Sequence, residues 1–133
     1  MLNGLYSAPQ RDIRFTLYEV LDVESTLSRE AGSVAVDQGT LDQILESADR
    51  LCNGILAPLN QIGDRDGCVL LDAAVSTPPG FRDAYRAYTE GGWSGLCASP
   101  EHGGQGLPTI VSAMFGEMLG GSNISFALYP RLS

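Results

Sequence analysis

The chain has 133 residues, with 16 acidic and 8 basic side chains and a formal net charge of −8 at pH 7. Its length fits one domain that buries roughly two-thirds of its unfolded surface, and an apolar content of 44% is ordinary for a folded protein. The negative charge argues against a nucleic-acid partner, and the absence of lysine excludes Schiff-base and P-loop lysine chemistry.

The N-terminal segment has neither the basic nor the apolar region of a secretory signal. No apolar run approaches the roughly 20 residues that a membrane-spanning helix needs, so we expect a cytoplasmic chain without a membrane span. The three cysteines, Cys52, Cys68 and Cys97, form no C-x-x-C pair. We interpret them as reduced packing residues and predict no disulfide framework.

Residues 1–39 are interpreted as an N-terminal extension that contains one short helix over residues 11–22. Phe15, Tyr18 and Leu21 lie about one helical turn apart in this stretch. Pro9 precedes it, in keeping with the preference of proline for helix starts.

The longest periodic segment follows, and it predicts one long helix. Thr40 and Gln43 fit a capping box at its start. Pro58 predicts that the helix bends or loses a turn near residues 53–54, and Gly63 is predicted to end it. The apolar stripe of this helix consists of Leu41, Ile44, Leu45, Ala48, Leu51, Cys52, Ile55, Leu56, Leu59 and Ile62.

The next stretch is rich in turn residues. Within it, residues 69–71 are too few for more than an extended or edge piece. Pro79 then precedes a third helix, which the glycine pair at residues 91–92 is predicted to end.

A fourth helix is predicted to start at Pro108. The glycine pair at residues 120–121 interrupts its pattern, and residues 122–133 are predicted to begin another helix. The predicted fold class is therefore all-α, with four or five helices and long ordered loops.

Residues 91–108 carry six glycines and two prolines. Such a composition favours a loop that holds a defined shape, although a long surface connection explains it equally well. The residues predicted to shape this structural loop are Glu101, Gly103, Gly104 and Gly106.

The same loop contains His102, which is the only histidine. No spacing places a nucleophile and a carboxylate around it, and no second histidine completes a zinc site. The glycines at residues 103–106 follow no buried strand, so they are a poor dinucleotide motif. We therefore predict no catalytic residue and no metal site in this chain.

Four segments taken together carry a family resemblance: residues 6–22, 77–93, 99–108 and 122–130. In this order they resemble the N-terminal helical domain of FAD-dependent acyl-CoA dehydrogenases. The likeness is greatest to the long bacterial subclass that includes 3-methylmercaptopropionyl-CoA dehydrogenase. It extends over essentially the whole chain, residues 1–133.

The resemblance implies a helical domain that, in similar enzymes, precedes a β domain and a C-terminal helical domain. Those enzymes hold FAD between the β domain and the C-terminal domain, and their catalytic base comes from the C-terminal part. They oxidise the Cα–Cβ bond of an acyl-CoA to give an enoyl-CoA. The electrons pass to electron-transfer flavoprotein. The chain ends before the β domain, so we expect no FAD and no activity for the chain alone.

The same resemblance places the residues after the fourth helix nearest to the acyl chain. The implied substrate-binding residues are Phe126, Ala127, Tyr129 and Pro130, with Met118 and Leu119 behind them. An assignment of all these side chains to the hydrophobic core is equally open.

Three functions remain open from the sequence: part of an acyl-CoA dehydrogenase, a stand-alone helical binding or interaction module, and an inactive remnant. In the first, other domains cover the helix faces that carry Met114, Phe115, Met118 and Phe126. We therefore expect the isolated chain to self-associate or to dock onto a complementing domain.

Overall fold

A computed structural model describes residues 6–27 and 36–132. The fold is mainly helical, which confirms the predicted fold class. The helices are α1 (Gln10–Phe15), α2 (Val23–Leu27), α3 (Gln38–Leu51), α4 (Ala57–Asp66), α5 (Phe81–Glu90), α6 (Thr109–Ser122) and α7 (Ile124–Arg131). No helix in these two described ranges is long and apolar enough to cross a membrane.

The short N-terminal helix is present and is fixed to α3 by polar contacts. α1 continues into a π-helical turn, Thr16–Val20. The Arg14 Nε donates to the Asp42 carboxylate at 2.8 Å, and the Tyr18 hydroxyl donates to the same oxygen at 2.9 Å. Of the predicted extension 1–39, residues 1–5 and 28–35 lie outside the described residues.

The start of the long helix differs from the prediction. The N-cap is Asp37, whose carboxylate accepts the Thr40 backbone N–H at 2.7 Å, so the predicted cap at Thr40 was wrong. This hydrogen bond holds the pKa of the Asp37 carboxyl below its usual value. The helix starts earlier because aspartate is as good an N-cap as threonine or better.

The interruption predicted near residues 53–54 is a π-helical turn, Cys52–Leu56, between α3 and α4. The predicted stop at Gly63 was wrong, because the helix runs on to Asp66 and Gly67 ends it at φ 61°. Gly63 is buried inside α4 for a packing reason. A Cβ there would lie 2.7 Å from the Phe81 ring, which is shorter than any normal contact.

A small antiparallel hairpin follows, formed by β1 (Val69–Leu71) and β2 (Ala74–Ser76). It confirms the extended piece predicted at residues 69–71. Its two turn residues, Asp72 and Ala73, have positive φ values of 50° and 62°, as a two-residue type I′ hairpin requires. Both strands are exposed on both faces.

Helix α5 ends at the glycine pair as predicted, and α6 starts after its N-cap Pro108. The interruption predicted at residues 120–121 was wrong, since α6 passes through both glycines to Ser122. The helix ends before Asn123 instead, where the backbone is extended. Helix α7 follows and confirms the further helix predicted in this segment.

Asn123 is 1% exposed and serves two elements at once. Its Oδ1 accepts the backbone N–H of Phe126 at 2.9 Å and so caps α7. Its Nδ2 donates to the Leu56 carbonyl at 3.1 Å, at the end of the π-helical turn. One buried amide therefore ties the start of α7 to the middle of the long helix.

The core corrects one expectation about exposed surfaces. Met114, Phe115, Met118 and Phe126 are at most 4% exposed, because α6 and α7 pack against the long helix within this chain.

The interpretation of the cysteines as packing residues holds for Cys52. This residue is buried, and burial raises the pKa of its thiol to about 11. The interpretation was wrong for the other two cysteines, which are exposed, although all three thiols are free.

Replacement of Asn123 by alanine is expected to lower the free energy of unfolding by about 2–4 kcal/mol. The change removes a helix cap and leaves a buried carbonyl without its partner. Urea unfolding followed by circular dichroism measures this loss. Asn60→Ala is the matched control because Asn60 is exposed on α4, and a comparable loss in both variants would contradict the assignment.

Candidate functional site

A cleft of about 640 Å³ opens between the hairpin, the start of α5 and α7. We call it the aromatic cleft. Its walls are mainly apolar, with hydroxyl groups and one guanidinium among the lining side chains. The lining residues are Val75, Ser76, Thr77, Pro78, Pro79, Gly80, Phe81, Arg82, Tyr85, Phe126 and Tyr129.

The turn over residues 78–81 forms one wall and positions α5. The Pro78 carbonyl accepts the Phe81 N–H at 3.2 Å, and Gly80 has φ 84° and ψ −17°. These are the features of a type II turn, in which the third position requires a positive φ. A Cβ at Gly80 would also lie 2.7 Å from a methyl group of Leu59, which would have to shift.

Three aromatic rings form the floor of the cleft. The Phe81 ring lies 6.0 Å from the Phe126 ring and 6.0 Å from the Tyr129 ring, with the latter pair edge to face. The Phe126 and Tyr129 rings are 6.4 Å apart. Edge-to-face packing of this kind adds to the stabilisation from burial, so the floor is a fixed apolar surface.

Tyr129 stands at the edge of this floor and is 38% exposed. Its hydroxyl forms a hydrogen bond with the Cys68 thiol at 3.1 Å. This hydrogen bond, together with burial, raises the pKa of the Tyr129 hydroxyl. The contact joins α7 to the start of the hairpin and holds the ring in position.

The four residues implied as substrate-binding separate into two groups. Phe126 and Tyr129 line the aromatic cleft. Ala127 is fully buried, and Pro130 lines a different cleft of about 320 Å³ beside the glycine-rich loop. Met118 and Leu119 are buried in the core.

Sequence reasoning missed the other half of the cleft, namely the proline turn, Arg82 and Tyr85. The consecutive Pro78 and Pro79 before a glycine were the available signal, because that order is typical of a type II turn. Nothing local in the sequence indicates that this turn faces α7.

The glycine-rich loop folds back on itself through its own backbone. Gln105, Gly106 and Leu107 donate their N–H groups to the carbonyls of Gly95, Ala98 and Leu96, at 2.8, 2.9 and 2.9 Å. The Gln105 side chain also donates to the Gly92 carbonyl at 2.9 Å. The loop therefore holds a defined shape.

Its glycines are required for two different reasons. Gly103 and Gly106 have φ values of 81° and 65°, which few other residues adopt without strain. Gly104 has no positive φ, and it is needed because a Cβ would overlap the Ala98 carbonyl. Gly104 therefore contributes to the loop through space and not through its backbone angle.

Glu101 and His102 lie on the outside of the loop, 76% and 77% exposed. Their closest charged atoms are 3.9 Å apart. In residues 6–27 and 36–132, no group of three or more histidine, cysteine or acidic side chains is arranged to hold a metal ion.

Two curated relatives match the chain along almost all of its length. The 3-methylmercaptopropionyl-CoA dehydrogenase of Ruegeria pomeroyi is 34% identical over 128 residues, or 96% of this chain. The butyryl-CoA dehydrogenase of Syntrophomonas wolfei is 28% identical over 132 residues, or 97% of this chain. The chain belongs to the acyl-CoA dehydrogenase family.

The alignments nevertheless cover only a small part of each relative. The chain spans about a fifth of their length, since each alignment covers 22% of the longer protein. No protein-family model matches the chain. Family membership therefore rests on these two relatives.

Valine at Gly104 is expected to lower the free energy of unfolding by more than about 1 kcal/mol, because a side chain there collides with backbone. Gly103→Val is expected to lower the free energy of unfolding by more than the same amount, because a β-branched residue is strained at the positive φ of this position. His102→Ala should change little, since His102 is exposed. Thermal unfolding of the three variants measures these effects, and equal losses in all three would contradict this account of the loop.

Proposed function

We propose that this chain forms the N-terminal helical part of an acyl-CoA dehydrogenase and that the aromatic cleft helps to wall the acyl-chain pocket. The complete enzyme would oxidise the Cα–Cβ bond of an acyl-CoA to an enoyl-CoA with FAD. Electron-transfer flavoprotein would be the electron acceptor, and the cytoplasm the place of action. The observation that carries the proposal is the alignment of nearly the whole chain with two acyl-CoA dehydrogenases.

The chemistry of the cleft supports the pocket-wall role. An acyl chain offers only CH₂ and CH₃ groups, and each CH₂ removed from water contributes about 0.8 kcal/mol. The floor formed by Phe81, Phe126 and Tyr129 offers aromatic rings and no charged group. Such a surface suits an aliphatic chain and gives no chemical means to react with it, so the catalytic groups belong elsewhere in the enzyme.

The glycine-rich loop does not fit the phosphate groups of FAD. A phosphate cradle needs backbone N–H groups that point towards the ligand. In the glycine-rich loop, the N–H groups of residues 103–107 all donate to carbonyls of the loop itself. We therefore assign flavin binding to parts of the enzyme outside this chain and derive no step through it.

The exposed apolar surface supports docking of a complementing domain. Leu70, Leu71 and Val75 of the hairpin are 66–70% exposed, and Ile124 and Leu128 of α7 are more than half exposed. Apolar side chains concentrated in this way mark interaction surfaces in folded proteins. The sequence had indicated a different docking surface, the helix faces that carry Met114, Phe115, Met118 and Phe126. Those side chains are buried within this chain, so the exposed apolar surface lies elsewhere.

The isolated 133-residue chain is expected to purify without colour and to self-associate. The amides of the glycine-rich loop are already used within the loop, and the hairpin presents apolar side chains to water. Absorbance near 450 nm and sedimentation velocity, read on one preparation, measure the two properties. Stoichiometric flavin in the purified protein would contradict the expected lack of colour. A clean monomer at high concentration would contradict the expected self-association.

The pocket-wall role is tested in a chimera, in which this chain replaces the matching segment of the Ruegeria pomeroyi relative. Tyr129→Ala is expected to raise KM for acyl-CoA by roughly five- to tenfold, which corresponds to about 1 kcal/mol of lost contact. The penalty should grow with acyl-chain length. Steady-state kinetics with acyl-CoA substrates of several lengths measure it.

Tyr129→Phe is the matched control in the same chimera. It keeps the ring and removes only the hydroxyl that bonds to Cys68, so KM should stay close to that of the unaltered chimera. An equal rise of KM in both variants, or a rise independent of chain length, would contradict the role of the ring as a wall.

A further inference from the structure

A second cleft, of about 320 Å³, lies on the other side of α7 from the aromatic cleft. We call it the Arg131 cleft. Arg131 comes from the last turn of α7, Ser112 from α6, and Trp93 and Ser94 from the glycine-rich loop. Its walls thus combine a guanidinium and two hydroxyls with aromatic rings.

The cation in this cleft has no counter-ion among the described residues. No hydrogen bond or ion pair is formed by the Arg131 guanidinium within residues 6–27 and 36–132. The lining of the cleft contains no aspartate or glutamate, although acidic residues outnumber basic ones 16 to 8 in the whole chain. An unneutralised arginine in such a chain leaves a local site of positive charge.

Arg131, Ser94 and Ser112 are exposed, whereas the aromatic wall of the cleft is packed. The Arg131 guanidinium lies beside Gly116 of α6, where an added Cβ would make an ordinary contact, 3.6 Å from the nearest guanidinium nitrogen. On the opposite wall, the Trp93 ring stacks on Phe115 at 4.4 Å, and the Trp93 carbonyl accepts the Tyr88 hydroxyl at 3.2 Å. Neither Ser94 nor Ser112 uses its hydroxyl in a hydrogen bond within the described part of the chain.

We propose that the Arg131 cleft binds the carboxylate group of a small organic acid. The Arg131 guanidinium would pair with the two carboxylate oxygens, the hydroxyls of Ser94 and Ser112 would donate to them, and a short apolar end would lie against Trp93. A guanidinium matches the planar carboxylate with two parallel hydrogen bonds. This site is separate from the aromatic cleft, and its assignment does not depend on the proposed function.

The donor set favours a carboxylate over a phosphate. A phosphate dianion needs more positive charge or several backbone N–H groups, as in helix N-termini and glycine-rich cradles. The amides of residues 103–107 are already used within the loop. One guanidinium with two hydroxyls balances the single charge of a carboxylate.

Trp93 is the only tryptophan in the chain, so its fluorescence reports on this cleft directly. The test is a titration of the full chain with sodium butyrate, with sodium chloride at the same ionic strength as the reference. A saturable change in Trp93 fluorescence is expected. In Arg131→Gln the apparent affinity should fall about tenfold or more, because hydrogen bonds to a charged group are lost.

Arg11→Gln is the matched control, since Arg11 is exposed on α1 and lines neither of the two clefts. It should leave the butyrate response unchanged, and far-UV circular dichroism should be the same for all three proteins. The proposal is overturned by a response that does not saturate, by one that persists in Arg131→Gln, or by saturation with inorganic phosphate but not with butyrate.

Discussion

The buried hydrogen bonds of Asn123 are the constraint on which the candidate sites depend. Its side chain caps α7 at the N–H of Phe126 and at the same time donates to the Leu56 carbonyl, 67 residues earlier in the chain. An amide is suited to both tasks because it carries a donor and an acceptor on one planar group. Neither serine nor aspartate offers that combination in the same place. Since a buried polar group without a partner is costly, α7 is held in one position against the long helix.

A continuous set of aromatic rings carries this constraint across the molecule. Phe126 lies 6.0 Å from both Phe81 and Tyr88, and Tyr88 lies 6.1 Å from Phe115. Phe115 in turn stacks on Trp93 at the start of the glycine-rich loop. Packed rings of this size transmit displacement because the interior is as dense as a crystal. The shape of the glycine-rich loop and the floor of the aromatic cleft are therefore parts of one packed unit.

The positions of the main helices could be predicted from apolar periodicity, but their ends could not. Glycine was interpreted as a stop at Gly63 and at residues 120–121, yet both sites lie inside helices. At Gly63 the helix keeps a glycine because the Phe81 ring occupies the space of a Cβ. Such a contact joins residues that are far apart in sequence, so no local pattern reports it. The burial of α6 within this chain was missed for the same reason, because periodicity identifies an apolar face but not its partner.

Two of the four residues proposed as substrate-binding line the aromatic cleft, and helix geometry explains why the other two do not. Successive residues of an α-helix are rotated by about 100°, so residues three apart share a side and adjacent ones diverge. Phe126 and Tyr129 therefore face the aromatic cleft together, whereas Ala127 faces the core and Pro130 faces the Arg131 cleft. The family resemblance pointed to residues of α7 but could not give the rotation of that helix. That rotation decides which side chains each of the two clefts receives, and the hydrogen bonds of Asn123 to Leu56 and Phe126 help to hold it.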